Sequence, residues 1–509
     1  MAMSSKKKHA VVMARHRMLV LIWVLQIIAE GLALYGIWEL NMLPMKYFLA
    51  LSAGLLLLAV LTGALLLPVR TGRLQGGAGV VLSVVVFALS CVASLMILDA
   101  RGTIENVVGQ VSGKASVGVY VRAEDRAHTL EDAVDYSFGM VYGYETEKFQ
   151  EAVDAMEASL GQPLNVDWYN SADDMLRAFF NDEIQALIIN SAYVDIIEEM
   201  EGYEDFSGRV RLIHEQKISG WSSLMENLGG TKPAKGDAIV TDPFVIYLSG
   251  SDTRNQKLAT SRSDVNILLI VNPETKQALL INTPRDYYVP NPVSSSGTKD
   301  KLTHCGIYGI ECSMEALAQL YQVEVDYYAQ INFTGFETLI DAIGGVDVYS
   351  EVAFNTADKY HINQGENHLD GKQALSFARE RKRLAGGDNA RGQNQMKVIK
   401  AVIAKMTSGT TIISNYSEIM ASLEGMFATS LPMNEISSLV KMQLGDMAQW
   451  NVQSFAVTGY NGSDYTYSAP GTKLYVMYPN EEDVAKAQAL IDTVFMDGIL
   501  TEADISGTN

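Results

Sequence analysis

Cysteine is almost missing from this sequence. Its three copies in 509 residues, Cys91, Cys305 and Cys312, cannot build a disulfide framework, and neither a CxxC pair nor a cysteine–histidine spacing of the zinc-binding kind occurs. Structural zinc is therefore not expected. Charge is also scarce, at 19% of residues, and the basic side is the poorer: 39 Lys and Arg against 59 Asp and Glu leave a formal net charge of −20. Such a chain does not coat nucleic acid nonspecifically, so any anion site must be local. What is abundant is apolar surface. With 48% hydrophobic residues and a mean hydropathy of +0.07, the chain is too apolar for disorder and slightly too apolar for a purely soluble protein. Its length predicts roughly three domains of about 150 residues each.

The apolar excess is concentrated in three runs, at about 18–38, 47–67 and 79–98, each near the ~20 residues that cross a bilayer. No small-residue cleavage site marks the first run as a removable signal peptide, so the anchor is expected to stay attached. Lys6, Lys7, Lys8, Arg15 and Arg17 precede the first span, Arg70 and Arg73 lie between the second and third, and the first loop carries only Lys46. The positive-inside rule then places the N-terminus in the cytoplasm and everything after about residue 99 on the outer face. Gln26 and Glu30, one turn apart inside the first span, are either a functional intramembrane site or an interhelical contact or protonated carboxyl. Gly54 and Gly63 read as packing positions.

Residues 99–115, with Gly102, Gly109 and Gly113, read as a linker. Beyond it, strand patterns at 117–121 and 186–189 alternate with helical spacing at 146–160 and 172–181, predicting a small α/β accessory domain over 116–235. It contains no nucleophile–base pair, phosphate loop or metal cluster. Its isolated His128 and His214 read as structural or exposed, and the domain as a spacer or partner-binding module.

From 236 to 509 the pattern predicts a second α/β domain. Strand runs at 244–248 and 265–271 flank Asp252 and Asp264, and a further strand at 278–282 ends in Thr283-Pro284-Arg285-Asp286. Loop aspartates are hard-oxygen donors suited to Mg²⁺, although aspartate is equally at home in turns. Cations then gather at Arg379, Arg381, Lys382 and Arg383. If that stretch is extended, three arginines share a face; if helical, only Arg379 and Arg383 do. A helix capped near Asp388 or Asn389 and running through Met406 carries Arg391 and Gln395 on one face, in its N-terminal part, although Gly392 weakens its helical propensity. Converging guanidiniums suit a pyrophosphate, each binding oxygens bidentately. The competing reading is a solvated basic face paired with Glu380, and Lys382 and Arg383 are assigned to solvent.

SGSDTR at 249–254, SRSDVN at 261–266, NTPRD at 282–286, KLTHCGIYG at 301–309, INFTGFETLIDAIGGVDV at 331–348, LDGKQALSFARERK at 369–382 and RGQNQMKVI at 391–399, in this order, resemble the LytR-CpsA-Psr family of cell-wall ligases. Three spans and an extra α/β domain ahead of these motifs resemble its capsule-associated streptococcal branch. The resemblance implies a mixed central sheet flanked by helices and a phosphotransferase that moves a glycopolymer, here capsular polysaccharide, from an undecaprenyl-pyrophosphate carrier to peptidoglycan. It implies Asp252 and Asp264 as Mg²⁺ ligands and candidate bases. Arg262, Arg285, Lys301, Arg379, Arg381, Arg391 and Gln395 are the implied pyrophosphate set, with Arg285, Asp264 and Asp252 as catalytic residues. Leu317–Leu320 and Phe333–Ile343 are candidate walls of a lipid tunnel, or ordinary core. Capsule-synthesis machinery is an implied partner; nucleic acid is not. The same residues suit a lipid-pyrophosphate hydrolase, with pyrophosphatase action as a side reaction, and a lipid-binding regulator is the non-enzymatic alternative. Cys305 and Cys312 are either a short disulfide or two thiols, and His304 is a structural hydrogen-bonding residue or a substrate contact. A reporter fused near residue 110 should be active on the outer face; activity confined to the cytoplasm would overturn this orientation.

Overall fold

The computed structural model describes residues 5–69, 72–107, 116–142, 146–217, 234–251, 258, 261–294, 296–385, 387–408, 423 and 425–506. Three long helices come first: α1 (Ser5–Leu40), α2 (Met45–Leu66) and α3 (Arg73–Val107). Within them His9–Leu40, Met45–Leu66 and Leu74–Leu98 are long and apolar enough to cross a bilayer. Much of their apolar surface faces outward, as at Leu56, Leu57 and Leu89. Trp23 donates its indole N–H to the Ala59 carbonyl, and Gly63 makes room for the same ring, whereas Gly54 faces open space. Gln26 donates its side-chain N–H to Glu30 at 2.7 Å within one helix, with both side chains buried, while the Gln26 side-chain oxygen has no partner among the described residues. The expected linker is partly helix, since α3 continues through Val107; one glycine at 102 does not stop an established helix. Gly109 and Gly113 lie outside the described residues.

A smaller sheet follows, built of β1 (Ser116–Arg122), β2 (Ser137–Val141), β3 (Asn165–Tyr169), β4 (Ala186–Asn190) and β5 (Val210–Lys217) in the order β3-β2-β4-β1-β5. The larger, six-stranded sheet contains β6 (Phe244–Ser251), β7 (Val265–Asn272) and β8 (Gln277–Asn282). Strand Tyr327–Asn332 pairs parallel to β6, with Phe427–Thr429 antiparallel beyond it, and Asn451–Ala456 pairs parallel to β8. Both sheets are mixed and flanked by helices. One apolar cluster runs without a break from the smaller sheet at Val119 and its helix residue Phe179 into the larger sheet at Tyr247 and Leu279 and the helix residue Val494 beside it.

The carboxyl ends of β6, β8 and Tyr327–Asn332 lie along the same edge, where open α/β sheets present their ligand crevices. Helix Gly371–Arg379 is delivered to that edge by a capping box, Asp370 accepting from the Gln373 N–H while Gln373 accepts from the Asp370 N–H. Its first residue packs against helix Phe333–Ala342 so closely that a Cβ on Gly371 would sit 2.1 Å from the Glu337 carbonyl oxygen. Gly371→Ala should therefore lower stability by about 1–3 kcal/mol in chemical denaturation; an unchanged midpoint would show that this close packing is not a constraint.

Candidate functional site

A cavity of about 640 Å³ opens along this edge, bounded by the sheet and by helices Phe333–Ala342, Gly371–Arg379 and Gly387–Thr407. Asp264, Arg285, Arg379, Arg381, Arg391 and Gln395 all line it, as do Lys382 and Arg383. Asp264 is placed by its own N–H, which donates to the Gly250 carbonyl across the β6–β7 pair. Arg285 leaves β8 through Thr283-Pro284 and donates to Asp264 Oδ1 at 2.7 Å, with Asp286 3.7 Å from its Nε. Burial opposes the Arg285 charge, but Asp264 and Asp286 outweigh it and raise its pKa.

The basic stretch is neither a strand nor a continuous helix. Arg379 closes its helix, its guanidinium 4.3 Å from the centroid of the Phe333 ring. Glu380 then turns inward and accepts the backbone N–H groups of Arg381 and Arg383 on one oxygen and of Ala357 on the other. The acid in this run thus builds a loop, and among the described residues only Arg383 forms an ion pair with it, at 3.4 Å. Lys382 and Arg383 are exposed, as expected, yet sit at the cavity rim.

Helix Gly387–Thr407 gives the cavity its polarity gradient. Arg391 and Gln395 begin a stripe that continues as Val398, Ile399, Val402 and Ile403, so one face passes from cation to hydrocarbon. Phe333, Phe336, Leu339, Leu269, Ile331 and Phe427 complete the apolar end. Gly392 lies where a Cβ would meet the Asn282 side chain at 2.2 Å; its small size lets the helix approach the end of β8.

The remaining expectations meet different outcomes. Arg262 and Lys301 do not line the cavity: Arg262 pairs with Glu199 and Asp195 of the smaller unit, and Lys301 with Glu199 and Asp286. Leu317 is sealed in the main core and Leu320 packs on it, away from the cavity, because three residues apart on helix Ile310–Tyr321 they share its inward face. Asp252 lies outside the described residues. Cys305 and Cys312 are buried free thiols; the neighbouring Cys312 and burial both raise the Cys305 pKa. His304 is fully buried, within hydrogen-bonding distance of Asp300 and Ser468, which fits its structural reading. Sequence reasoning missed Glu199, Asp286 and the Val398–Ile403 stripe; only the stripe had a signal, the continuation of the Arg391–Gln395 spacing.

Among the described residues no group of three or more His, Cys, Asp or Glu gathers into a metal cage. Asp264 is nevertheless chemically suited to Mg²⁺, which takes one or two protein carboxylates and fills its shell with water and phosphate oxygens.

The profile of the LytR_cpsA_psr family matches residues 216–486, more than half of the chain. The chain belongs to this family. It is 33% identical over 200 residues to the polyisoprenyl-teichoic acid–peptidoglycan teichoic acid transferase TagU of Enterococcus faecalis, a match covering 39% of this chain and 65% of that one. The TagU of Bacillus mycoides is 32% identical over 202 residues, covering 40% and 64%. The chain thus spans somewhat less than two thirds of these relatives' length. Among solved structures, TagT bound to LI-WTA is 26% identical with a TM-score of 0.40, covering 50% of this chain and 91% of that one. The Streptococcus agalactiae protein gbs0355 is 23% identical with a TM-score of 0.43, covering 53% and 93%.

Proposed function

We propose that this chain transfers a glycopolymer from a polyprenyl-pyrophosphate carrier to peptidoglycan. The observation that carries this reading is the cavity's gradient, cationic at Arg285, Arg379, Arg381 and Arg391 and purely hydrocarbon along Val398, Val402, Phe336 and Phe427. Its complement is an amphiphile with a polyanionic head and a long apolar tail. The names of the TagU relatives, which specify polyisoprenyl-linked polymer and peptidoglycan, support the same substrate class. The strand Phe427–Thr429, which contributes to the apolar wall, touches α3, so a tail in the cavity lies close to the helices that suit a bilayer. In this reading the helices anchor the chain with its larger domains outside, and capsular polysaccharide is the polymer.

The arginines hold the two phosphates and match the charge that grows on the bridging oxygen as the acceptor oxygen bonds to the sugar-side phosphorus and lipid phosphate departs. Mg²⁺ held by Asp264 and Asp252 supplies further charge compensation when bound. The Asp264–Arg285 bond fixes that guanidinium at the head-group end. A carboxylate there, Asp264 or Asp252, takes the acceptor's proton.

With labelled lipid-linked glycan and peptidoglycan, the full chain should form a covalent adduct. Arg285→Ala should cut the rate by about 10²–10³-fold, and Val402→Arg should block lipid-linked substrate by placing charge in the tail region. Release of free glycan without adduct would identify a hydrolase, and activity of Val402→Arg at the parent level would place the tail elsewhere.

A further inference from the structure

The smaller α/β unit lies largely ahead of the region the family profile matches, and it reaches into the neighbourhood of the cavity through one segment. After β4, residues 191–200 turn along the larger unit. Ile196, Ile197 and Met200 are buried in the shared core, while Asp195 and Glu199 point to the other side. Glu199 Oε1 accepts from Arg262 at 2.7 Å, and its Oε2 accepts from Lys301, whose side chain is only 3% exposed. Asp195 adds a second carboxylate 3.4 Å from Arg262. His304 Nε2 lies 3.8 Å from Glu199.

These pairs continue to the cavity wall. Lys301 is 3.5 Å from Asp286, Asp286 is 3.7 Å from Arg285, and Arg285 is bonded to Asp264. Charges therefore alternate from Glu199 through Lys301, Asp286 and Arg285 to Asp264. The three loops that carry them are also stitched by backbone bonds, Ser263 N–H to the Thr303 carbonyl and Thr303 N–H to the Arg285 carbonyl. A shift in one loop is felt by the others. The burial of Lys301, only 3% exposed, argues for a fixed support and against a displaceable plug.

We propose that Glu199 is a positioning residue for transfer, so that the smaller unit completes the site of the larger one; this rests on the transferase reading above. Without its charge, Lys301 is left, among the described residues, with Asp286 as its carboxylate partner and competes with Arg285 for it, while Arg262 keeps only the longer contact to Asp195. Arg285 and Asp264 then lose their alignment. The lipid head remains held by Arg379, Arg381 and Arg391, so the rate suffers more than binding.

The test uses the full chain in detergent with Mg²⁺, a synthetic undecaprenyl-pyrophosphoryl disaccharide as donor, soluble peptidoglycan as acceptor, and undecaprenyl pyrophosphate as the binding probe. Glu199→Gln should lower kcat by about 10- to 100-fold while the probe's Kd moves by less than about threefold, and Glu199→Asp should restore part of the rate. Asp195→Asn, at a more exposed site, should lose a smaller part of kcat and decides the matter if Glu199→Gln does not fold. Tyr193→Phe, which removes a 2.9 Å contact to Tyr308 at the same interface, should leave kcat near the parent value. Parent-level kcat in both Glu199→Gln and Asp195→Asn overturns the proposal, as does a loss of kcat, binding and melting temperature in parallel. If the parent chain neither binds the probe nor transfers the disaccharide, the transferase reading itself fails.

Discussion

The site depends on keeping many guanidiniums in one place. Arg285, Arg379, Arg381, Arg383 and Arg391 around a single cavity repel one another, most where Arg285 and Arg391 are half-buried and least where Arg379, Arg381 and Arg383 meet water. Carboxylates behind the wall make the arrangement tenable: Asp264 and Asp286 flank Arg285, and Glu380 shapes the loop of Arg381 and Arg383 through backbone N–H groups. Glu380 largely spares the side-chain charges it arranges. An anion entering the cavity therefore meets cations whose positions are set from behind, which is the condition for tight, oriented binding of phosphate.

The second constraint is continuity between polar and apolar walls. One helix, Gly387–Thr407, carries both ends of the gradient, so in the proposed reading a head group at Arg391 and a tail along Val402 would be registered by a single element. Gly392 and Gly371 let the two helices around the cavity approach their neighbours closely. The shared apolar core then joins the smaller unit to the same frame, and Ile196, Ile197 and Met200 root the segment that carries Glu199 in it.

Much of this was legible in the sequence, and the reasons differ by residue. The three apolar helices followed from run length alone, and the strands at 117–121, 265–271 and 278–282 from local patterns that the structure reproduces within a residue or two. Arg379, Arg391 and Gln395 were legible because helix spacing puts them at predictable places. The Arg379–Arg383 run was not, because the buried Glu380 overrides both the strand and the helix period. Arg262 and Lys301 were matched to motifs, but their partners lie some 60 to 100 residues upstream in the smaller unit. No local signal tells which acid of Glu198, Glu199 and Glu201 turns inward. Leu317 and Phe333 looked alike as apolar positions, and only the tertiary fold decides that one closes the core and the other faces the cavity.

The central claim is that the cavity holds a lipid with a pyrophosphate head. Mass spectrometry of lipid extracted from the full chain, purified in mild detergent from a host that makes undecaprenyl carriers, tests it most directly. Undecaprenyl pyrophosphate or a glycan-bearing form of it, present in the parent protein and lost in Arg379→Ala, is the predicted result. A chain that carries no such lipid and takes up none when it is added would contradict the account.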